Sequence, residues 1–172
     1  MNSSYRLVYV KKQKKLPDIM KAIILAGGRG KRLRPITDKI PKPLIPINNK
    51  PLIERTIKYL KKYGITEIMI SSGYKSNLIE KFLKKKKNFG CNIIFSIEKT
   101  PLGTGGAIKK ALRFVDEESF VVLNGDIITN IDLKKILKKP NTIAANELKT
   151  KFCTMDIRNN KILKLNEKKY VS

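Results

Sequence analysis

After residue 20, the hydrophobic positions of the chain alternate between two spacings. Short apolar runs predict strands, at residues 21–26, 67–71, 92–96 and 120–123. Between these runs, apolar residues recur every three or four positions and predict helices, at residues 51–63, 76–86, within 103–114 and at about 133–138. Strands that alternate with helices are typical of a parallel sheet with helices on both faces. We therefore expect an α/β fold with a mostly parallel sheet.

The two ends of the chain lack this alternation. Residues 1–19 are polar and basic, and we expect a disordered leader there, with Met20 as an alternative start directly before the first strand. From residue 142 onward the pattern predicts strands, with a turn at Asn159-Asn160. We expect residues 20–172 to form one domain. The chain has no apolar run as long as a membrane span or a signal peptide, so we expect a cytoplasmic protein.

A cationic glycine-rich loop follows the first predicted strand. Its glycines are Gly27, Gly28 and Gly30, and the cations in and after it are Arg29, Lys31, Arg32, Arg34 and Lys42. Glycines allow the backbone to approach an anion and present N–H groups to it, and the cations supply the opposing charge. The loop lacks the Gly-Lys-Ser/Thr of a P-loop, and Pro35 interrupts any dinucleotide-binding fingerprint. We expect it to bind a polyphosphate beyond the carboxyl end of the strand.

The composition narrows the range of functions. The net charge of +24 suggests nucleic acid or an anionic membrane as a partner. However, lysines are spread along the whole chain, and the lysine run at residues 84–87 lacks interleaved aromatic residues, so we expect neither partner. The absence of histidine excludes His-based catalysis and His-ligated metals. Cys91 and Cys153 lack metal-ligand spacing, and we expect both to be buried or half-buried apolar residues.

Four motifs follow one another in an order that resembles a known family. They are residues 27–37 with Pro41-Lys42-Pro43, residues 49–53, residues 98–107, and Leu123-Asn124-Gly125-Asp126. The series resembles the sugar-1-phosphate nucleotidyltransferases, and it is most similar to the mannose-1-phosphate and heptose-1-phosphate guanylyltransferases. The resemblance covers residues from about 20 to about 133. It implies a Rossmann-like three-layer sandwich that is truncated at its C-terminal side.

The resemblance also implies a reaction and a set of site residues. A sugar-1-phosphate oxygen attacks the α-phosphorus of a nucleoside triphosphate, and pyrophosphate leaves. The reaction uses Mg²⁺ and depends on positioning and charge neutralisation rather than on a strong base. The implied catalytic residues are Arg32, Lys42 and Asp126, with Asp126 also the metal ligand. The implied nucleotide-binding residues are Leu25, Ala26, Gly27, Gly28, Gly30, Glu98, Gly103 and Thr104.

The base preference depends on Glu98. A carboxylate only accepts hydrogen bonds, and guanine presents N1–H and N2–H₂ side by side as a pair of donors. This favours GTP, with mannose-1-phosphate or a similar sugar phosphate as the second substrate. Uridylyl- and thymidylyltransferases of the family often have glutamine at this position, but some have glutamate, so a UTP- or dTTP-dependent transferase is an alternative. Another alternative is that Glu98 pairs with Lys99 or another lysine and does not contact the nucleobase.

Members of the family are longer than this chain. The resemblance implies that the nucleotide-binding half is present and that most of the sugar-binding half, with a second metal-binding acid, is missing. Three alternatives follow. The chain is part of a truncated or split enzyme, it is completed by a complementing chain or a homo-oligomer, or it only binds nucleotide. A non-catalytic subunit like those of the translation-initiation exchange factors is another. The presence of Arg32, Lys42 and Asp126 favours an active enzyme.

Overall fold

The computed structural model describes residues 8–11, 20–114, 120–138, 142–144, 154–158 and 161–166, with the backbone alone at 8–11, 154–158 and 161–166. The chain divides into two units. The larger unit is Leu7–Ala144 and contains a six-stranded sheet and its helices. The smaller unit combines Met1–Arg6 with Ala145–Ser172, and its described part is one pair of antiparallel strands.

Four parallel strands form the centre of the sheet. The described strands are β1 Val8–Lys11, β2 Lys21–Ala26, β3 Pro46–Ile47, β4 Lys50–Pro51, β5 Glu67–Ser72, β6 Asn92–Ile97, β7 Phe120–Asn124, β8 Thr142–Ile143, β9 Thr154–Arg158 and β10 Lys161–Asn166. The order in the large sheet is β6-β5-β2-β7-β1-β8. Strands β6, β5, β2 and β7 are parallel, whereas β1 is antiparallel to β7 and β8. The carboxyl ends of the four parallel strands therefore lie at one edge of the sheet, where ligands bind in folds of this type.

Helices connect the parallel strands. They are α1 Ile36–Lys39, α2 Leu52–Lys62, α3 Ser76–Lys85, α4 Gly103–Ala111 and α5 Leu133–Leu137, together with short 3₁₀ turns at Lys31–Leu33, Lys42–Leu44, Lys87–Gly90 and Leu112–Phe114. In α2, the buried residues Ile53, Ile57 and Leu60 recur at helical spacing. This helix ends just before Gly64, whose φ of 77° is a conformation that glycine adopts without strain.

The sheet has an apolar layer on each face. Ile24, Ile70 and Leu123 point to one face and belong to the same buried cluster as Ile57 of α2, Ile79 of α3 and Leu133 of α5. The alternate residues Ile23, Met69 and Val122 form a second buried cluster with Ala111 of α4. Because side chains alternate along a strand, these two clusters lie on opposite faces. The result is the predicted three-layer α/β sandwich with a mostly parallel sheet.

Each helix and strand predicted between residues 20 and 138 is present, with ends that differ by at most one residue where the prediction gave definite bounds. The tail contains strands, as predicted, while the turn at Asn159-Asn160 lies outside the described residues. Cys91 is buried, as predicted, and Cys153 also lies outside the described residues. The structure adds strand Val8–Lys11 inside the expected leader. The rest of residues 1–19 is not described, so the leader stays a prediction.

None of the helices in the described ranges is long and apolar enough to cross a membrane.

Candidate functional site

A cavity of about 540 Å³ lies at the carboxyl ends of β2 and β7, beside the glycine loop and the start of α4. All the site residues predicted from the sequence line it: Leu25, Ala26, Gly27, Gly28, Gly30, Arg32, Lys42, Glu98, Gly103, Thr104 and Asp126. Arg29, Lys31, Leu33, Pro43, Pro101, Ala107 and Asn124 also line it. The fold thus brings together residues that are up to about a hundred positions apart in the sequence.

The glycine loop turns sharply at Gly30. This residue has φ 63°, a left-handed conformation that strains any residue with a Cβ atom. Its carbonyl oxygen accepts hydrogen bonds from the Leu33 amide at 2.9 Å and from the Thr37 hydroxyl at 3.0 Å. Thr37 is only 1% exposed, so a buried side chain fixes the position of the loop. This turn begins the 3₁₀ segment Lys31–Leu33, which carries Arg32 at the cavity.

Arg32 is an exposed cation at the wall of this cavity. None of the ion pairs between described residues includes it, whereas Arg34, two positions later, pairs with Asp38 at 3.1 Å. Arg34 does not line the cavity. Arg29 lines it too, and its guanidinium lies 5.9 Å from the centre of the Tyr74 ring. Of these three arginines, Arg32 is therefore the one with both a place at the cavity and no contact that engages its charge within the described structure.

Lys42 and Asp126 form an ion pair at the cavity. Their side chains are 36% and 31% exposed, so both remain accessible to a ligand. Lys42 begins a 3₁₀ turn after Pro41, and Asp126 follows β7. The Gly125 amide donates to the Leu25 carbonyl oxygen at 2.8 Å, and a Cβ atom on Gly125 would be 3.1 Å from that oxygen. Gly125 therefore allows the aspartate to lie directly beside the end of β2.

Glu98 is half-buried, and its carboxylate lies between the end of β5, the residue before α4 and the glycine loop. Its Oε1 accepts a hydrogen bond from the Ser71 hydroxyl at 2.9 Å, and its Oε2 accepts one from the Leu102 amide at 3.2 Å. A Cβ atom on Gly27 would lie 2.8 Å from Oε1, so the carboxylate occupies the space that a side chain at Gly27 would need. None of the ion pairs in the described part of the chain includes Glu98. The contacts observed are therefore not those of a glutamate paired with a lysine.

Two residues of this region, Ser71 and Asn124, were not predicted from the sequence. Ser71 is fully buried at the end of β5 and contacts Glu98, and Asn124 ends β7 and lines the cavity. A signal for Ser71 was present, since two serines follow three apolar residues at the end of β5, at the edge of the sheet where ligands bind. Asn124 belonged to a recognised motif, but no role was assigned to it.

Comparison with known sequences identifies similar proteins. The family model described as "Nucleotidyl transferase" matches residues 21–162. The chain is 42% identical to D-glycero-alpha-D-manno-heptose 1-phosphate guanylyltransferase of Aneurinibacillus thermoaerophilus, over 89% of this chain and 70% of the relative. It is 51% identical to the enzyme of the same name from Campylobacter jejuni, over 68% of this chain and 52% of the relative. It is 43% identical to mannose-1-phosphate guanyltransferase of Gibberella zeae, over 69% of this chain and 33% of the relative.

Solved structures share the fold. The crystal structure of HddC from Yersinia pseudotuberculosis complexed with GMP-PN matches with a TM-score of 0.72 and 31% identity, over 87% of this chain and 70% of that one. A putative glucose-1-phosphate thymidylyltransferase from Bacillus anthracis, in complex with a sucrose, matches with a TM-score of 0.71 and 29% identity, over 86% and 64%. The chain thus spans between about a third and 70% of the relatives and structures named here.

Proposed function

Since the chain belongs to the nucleotidyl transferase family, we propose that it is a sugar-1-phosphate guanylyltransferase that makes a GDP-sugar and pyrophosphate from GTP and a sugar-1-phosphate. One observation carries the proposal: a single cavity contains the cationic glycine loop, the Lys42–Asp126 pair and the carboxylate of Glu98. These are the three kinds of group that a triphosphate, a divalent cation and a guanine require. The names of the relatives support a heptose or mannose phosphate as the second substrate.

The proposed reaction needs no protein base. An oxygen of the sugar phosphate forms a bond to the α-phosphorus, the bond from this phosphorus to the oxygen that bridges to the β-phosphorus breaks, and that electron pair leaves with pyrophosphate. A phosphate monoester is mostly dianionic at neutral pH, because its second pKa is about 6, so the nucleophile is already deprotonated. The absence of histidine from the sequence is therefore compatible with the reaction.

Two cations are proposed to position the phosphates. Arg32 has a planar guanidinium, which binds two phosphoryl oxygens at once and spreads its charge over both. Lys42 has a compact ammonium, which lies at the cavity already because Asp126 holds it. Groups that are held in place before the reaction lower the barrier more than groups that must first be ordered.

Asp126 fits a role as a ligand of Mg²⁺. Mg²⁺ is commonly held by one or two carboxylates together with phosphate oxygens of the substrate. Within the described ranges, no group of three or more acidic, cysteine or histidine residues forms a metal site, so the nucleotide would supply further oxygens. When bound, the cation neutralises part of the triphosphate charge. Family membership supports a divalent metal in general, and the identity of Mg²⁺ belongs to this proposal.

Glu98 is proposed to select guanine. Each of its carboxylate oxygens accepts one hydrogen bond from the protein, at 2.9 Å from Ser71 and at 3.2 Å from Leu102. Each oxygen has two acceptor sites, so one per oxygen remains for N1–H and N2–H₂ of the base. The apolar residues Leu25 and Pro101 and the small residues Ala26 and Gly103 line the same cavity. A flat ring bound beside the carboxylate would contact these residues.

A UTP- or dTTP-dependent transferase is the second candidate, because the solved relatives of this fold include a putative thymidylyltransferase. The fold alone therefore does not choose the base. Uracil and thymine present a single N–H between two carbonyl oxygens, and those oxygens would face the negative charge of Glu98. This chemistry favours guanine over both pyrimidines.

The sugar pocket belongs to the proposal as well. The chain spans 52% of the Campylobacter relative and 33% of the Gibberella relative, so those enzymes contain residues without a counterpart in the match. We propose that a complementing chain or a second copy supplies further contacts to the sugar. In that case nucleotide binding is a property of this chain, and turnover depends on the added partner.

The test is pyrophosphate release with Mg²⁺, with GTP, ATP, CTP, UTP or dTTP as the nucleotide, and with a panel of sugar-1-phosphates. We expect release with GTP and a heptose or mannose phosphate, either from the chain alone or after addition of a complementing chain. Release with UTP or dTTP and not with GTP would support the second candidate. No release under any condition, with GTP binding that persists after removal of Mg²⁺, would support a protein that only binds nucleotide.

A further inference from the structure

We infer that Ser71 is a positioning residue for base selection, which holds the carboxylate of Glu98 in the orientation that reads guanine. The inference rests on the proposed function and goes beyond it, because Ser71 does not line the cavity and acts only through Glu98. It concerns the discrimination between bases rather than the reacting atoms.

The geometry of Ser71 supports this role. The residue is 0% exposed at the end of β5, and its hydroxyl is 2.9 Å from Glu98 Oε1. An ionised carboxylate only accepts hydrogen bonds, so the hydroxyl must be the donor. A hydrogen bond to a charged acceptor is stronger than one between neutral groups. Because Ser71 belongs to a central strand of the sheet, its position is fixed by the core.

Two further contacts complete the restraint on Glu98. The Leu102 amide donates to Oε2 at 3.2 Å, just before helix α4. At Gly27, the missing side chain leaves the space that Oε1 occupies, since a Cβ atom there would be 2.8 Å away. The two oxygens are thus fixed separately, one by a strand and one by a loop. Loss of the Ser71 hydroxyl would release Oε1 and let the carboxylate rotate about its terminal torsion.

A fixed carboxylate distinguishes bases by the number of donors that they present. Guanine presents N1–H and N2–H₂ to two parallel oxygens, whereas hypoxanthine presents N1–H alone and uracil presents one N–H between two oxygens. The ratio of GTP affinity to ITP affinity therefore reports the second of the two hydrogen bonds. A rotated carboxylate makes the second hydrogen bond less often, so the ratio falls while contacts to the triphosphate stay unchanged.

The experiment compares the affinities of GTP, ITP and UTP, measured by calorimetry with Mg²⁺ on the whole chain. In the wild type we expect GTP to bind more tightly than ITP and UTP. In Ser71→Ala we expect the GTP-to-ITP ratio to fall by about tenfold, as for a lost hydrogen bond to a charged group, with ITP affinity little changed. Ser71→Cys, whose thiol is a weaker donor of similar size, should give an intermediate ratio.

Ser96→Ala is the matched control. Ser96 faces Ser71 in the register of β5 and β6, is 1% exposed, and has a hydroxyl without a hydrogen-bond partner in the described structure. Its removal should leave the ratio unchanged. The inference is overturned if Ser71→Ala and Ser71→Cys keep the wild-type ratio, or if they weaken GTP and ITP equally. A wild type that binds GTP no better than ITP and UTP would instead contradict the guanine assignment itself.

Discussion

Lys42 forms an ion pair with Asp126, a residue 84 positions later in the sequence. The pair joins the segment after the glycine loop to the end of β7, and both side chains remain about a third exposed. The proposed phosphate ligand and the proposed metal ligand are therefore in contact before any substrate binds. A metal ion and the ammonium compete for the same carboxylate unless the nucleotide phosphates attract Lys42 away.

This competition predicts opposite effects of Lys42→Met on two ligands. Without the ammonium, Mg²⁺ should bind the nucleotide-free protein more tightly by about fivefold, equivalent to the ~1 kcal/mol of a partly exposed ion pair. GTP should bind more weakly, because a cation that contacts its phosphates is lost. Calorimetric titration with each ligand measures both changes. Lys81→Met is the control, because it removes an exposed charge of α3 away from the cavity and should alter neither affinity. Weaker Mg²⁺ binding by Lys42→Met would contradict the proposed competition between the ammonium and the metal ion.

Arg32 and Arg34 offer a matched pair of substitutions. Arg32→Ala should lower the rate of pyrophosphate release by about 10²–10³-fold, the usual loss when one donor to developing charge is removed. Arg34→Ala should have a small effect, since Arg34 lies outside the cavity and pairs with Asp38 at 3.1 Å. Steady-state rates with saturating GTP measure both effects. Equal losses in the two variants would show that the loop responds to general charge rather than to Arg32.

Alanine substitutions at Gly30 and Gly28 distinguish the effect of backbone strain from the effect of merely replacing a glycine. Gly30→Ala should destabilise the fold by about 1–2 kcal/mol, because φ 63° is strained for alanine and the new Cβ would lie 2.9 Å from Thr37 Cγ2. Gly28→Ala should leave the stability nearly unchanged, since no atom lies within 4 Å of a Cβ there. Urea denaturation measures the free energy of unfolding of each variant. Equal stability of the two variants would contradict the strain assigned to the Gly30 turn.

Tyr59 is expected to anchor the segment between Asp126 and α5. Its hydroxyl donates to the Ile131 carbonyl oxygen at 2.5 Å, and the Tyr63 hydroxyl donates to the same oxygen at 3.3 Å. Burial raises the pKa of Tyr59 well above its ordinary value, so the hydroxyl stays protonated and able to donate at neutral and mildly alkaline pH. Tyr59→Phe should lower the free energy of unfolding by about 1 kcal/mol.

Tyr63→Phe, which removes the longer of the two hydrogen bonds, should cost less, and urea denaturation of the pair measures the difference. A Tyr59→Phe variant as stable as the wild type would show that Tyr63 alone is enough to hold Ile131.

The parallel core could be predicted from the sequence because its signals are local. Ile23 and Ile24 lie in a short apolar run, and Ile53, Ile57 and Leu60 recur at helical spacing, so each element is visible within its own residues. Strand Val8–Lys11 was missed although Leu7-Val8-Tyr9-Val10 form a short apolar run, because the basic residues on either side of this run favoured a leader. Its partner β7 lies more than a hundred residues later, so no neighbouring element along the sequence supported a strand there.

The site residues also divide into those with a local signal in the sequence and those that depend on contacts between distant residues. Arg32, Lys42 and Asp126 could be named because they belong to continuous motifs, and the fold brings all three to one cavity. The contact between Ser71 and Glu98 could not be predicted, since it depends on how the end of β5 lies beside the residue that follows β6. The ion pair between Lys42 and Asp126 depends in the same way on tertiary structure, which no spacing along the chain reveals.

The proposed activity is transfer of a guanylyl group to a sugar phosphate, and phosphorus NMR of the reaction mixture tests it most directly. The protein is incubated with Mg²⁺, GTP and D-glycero-α-D-manno-heptose 1-phosphate or mannose-1-phosphate, alone and with a candidate complementing chain. We predict that the two signals of a GDP-sugar and the signal of pyrophosphate appear together in equal amounts, and that Arg32→Ala suppresses both. Pyrophosphate accompanied by GMP, or unchanged GTP in every mixture, would contradict guanylyl transfer to a sugar phosphate.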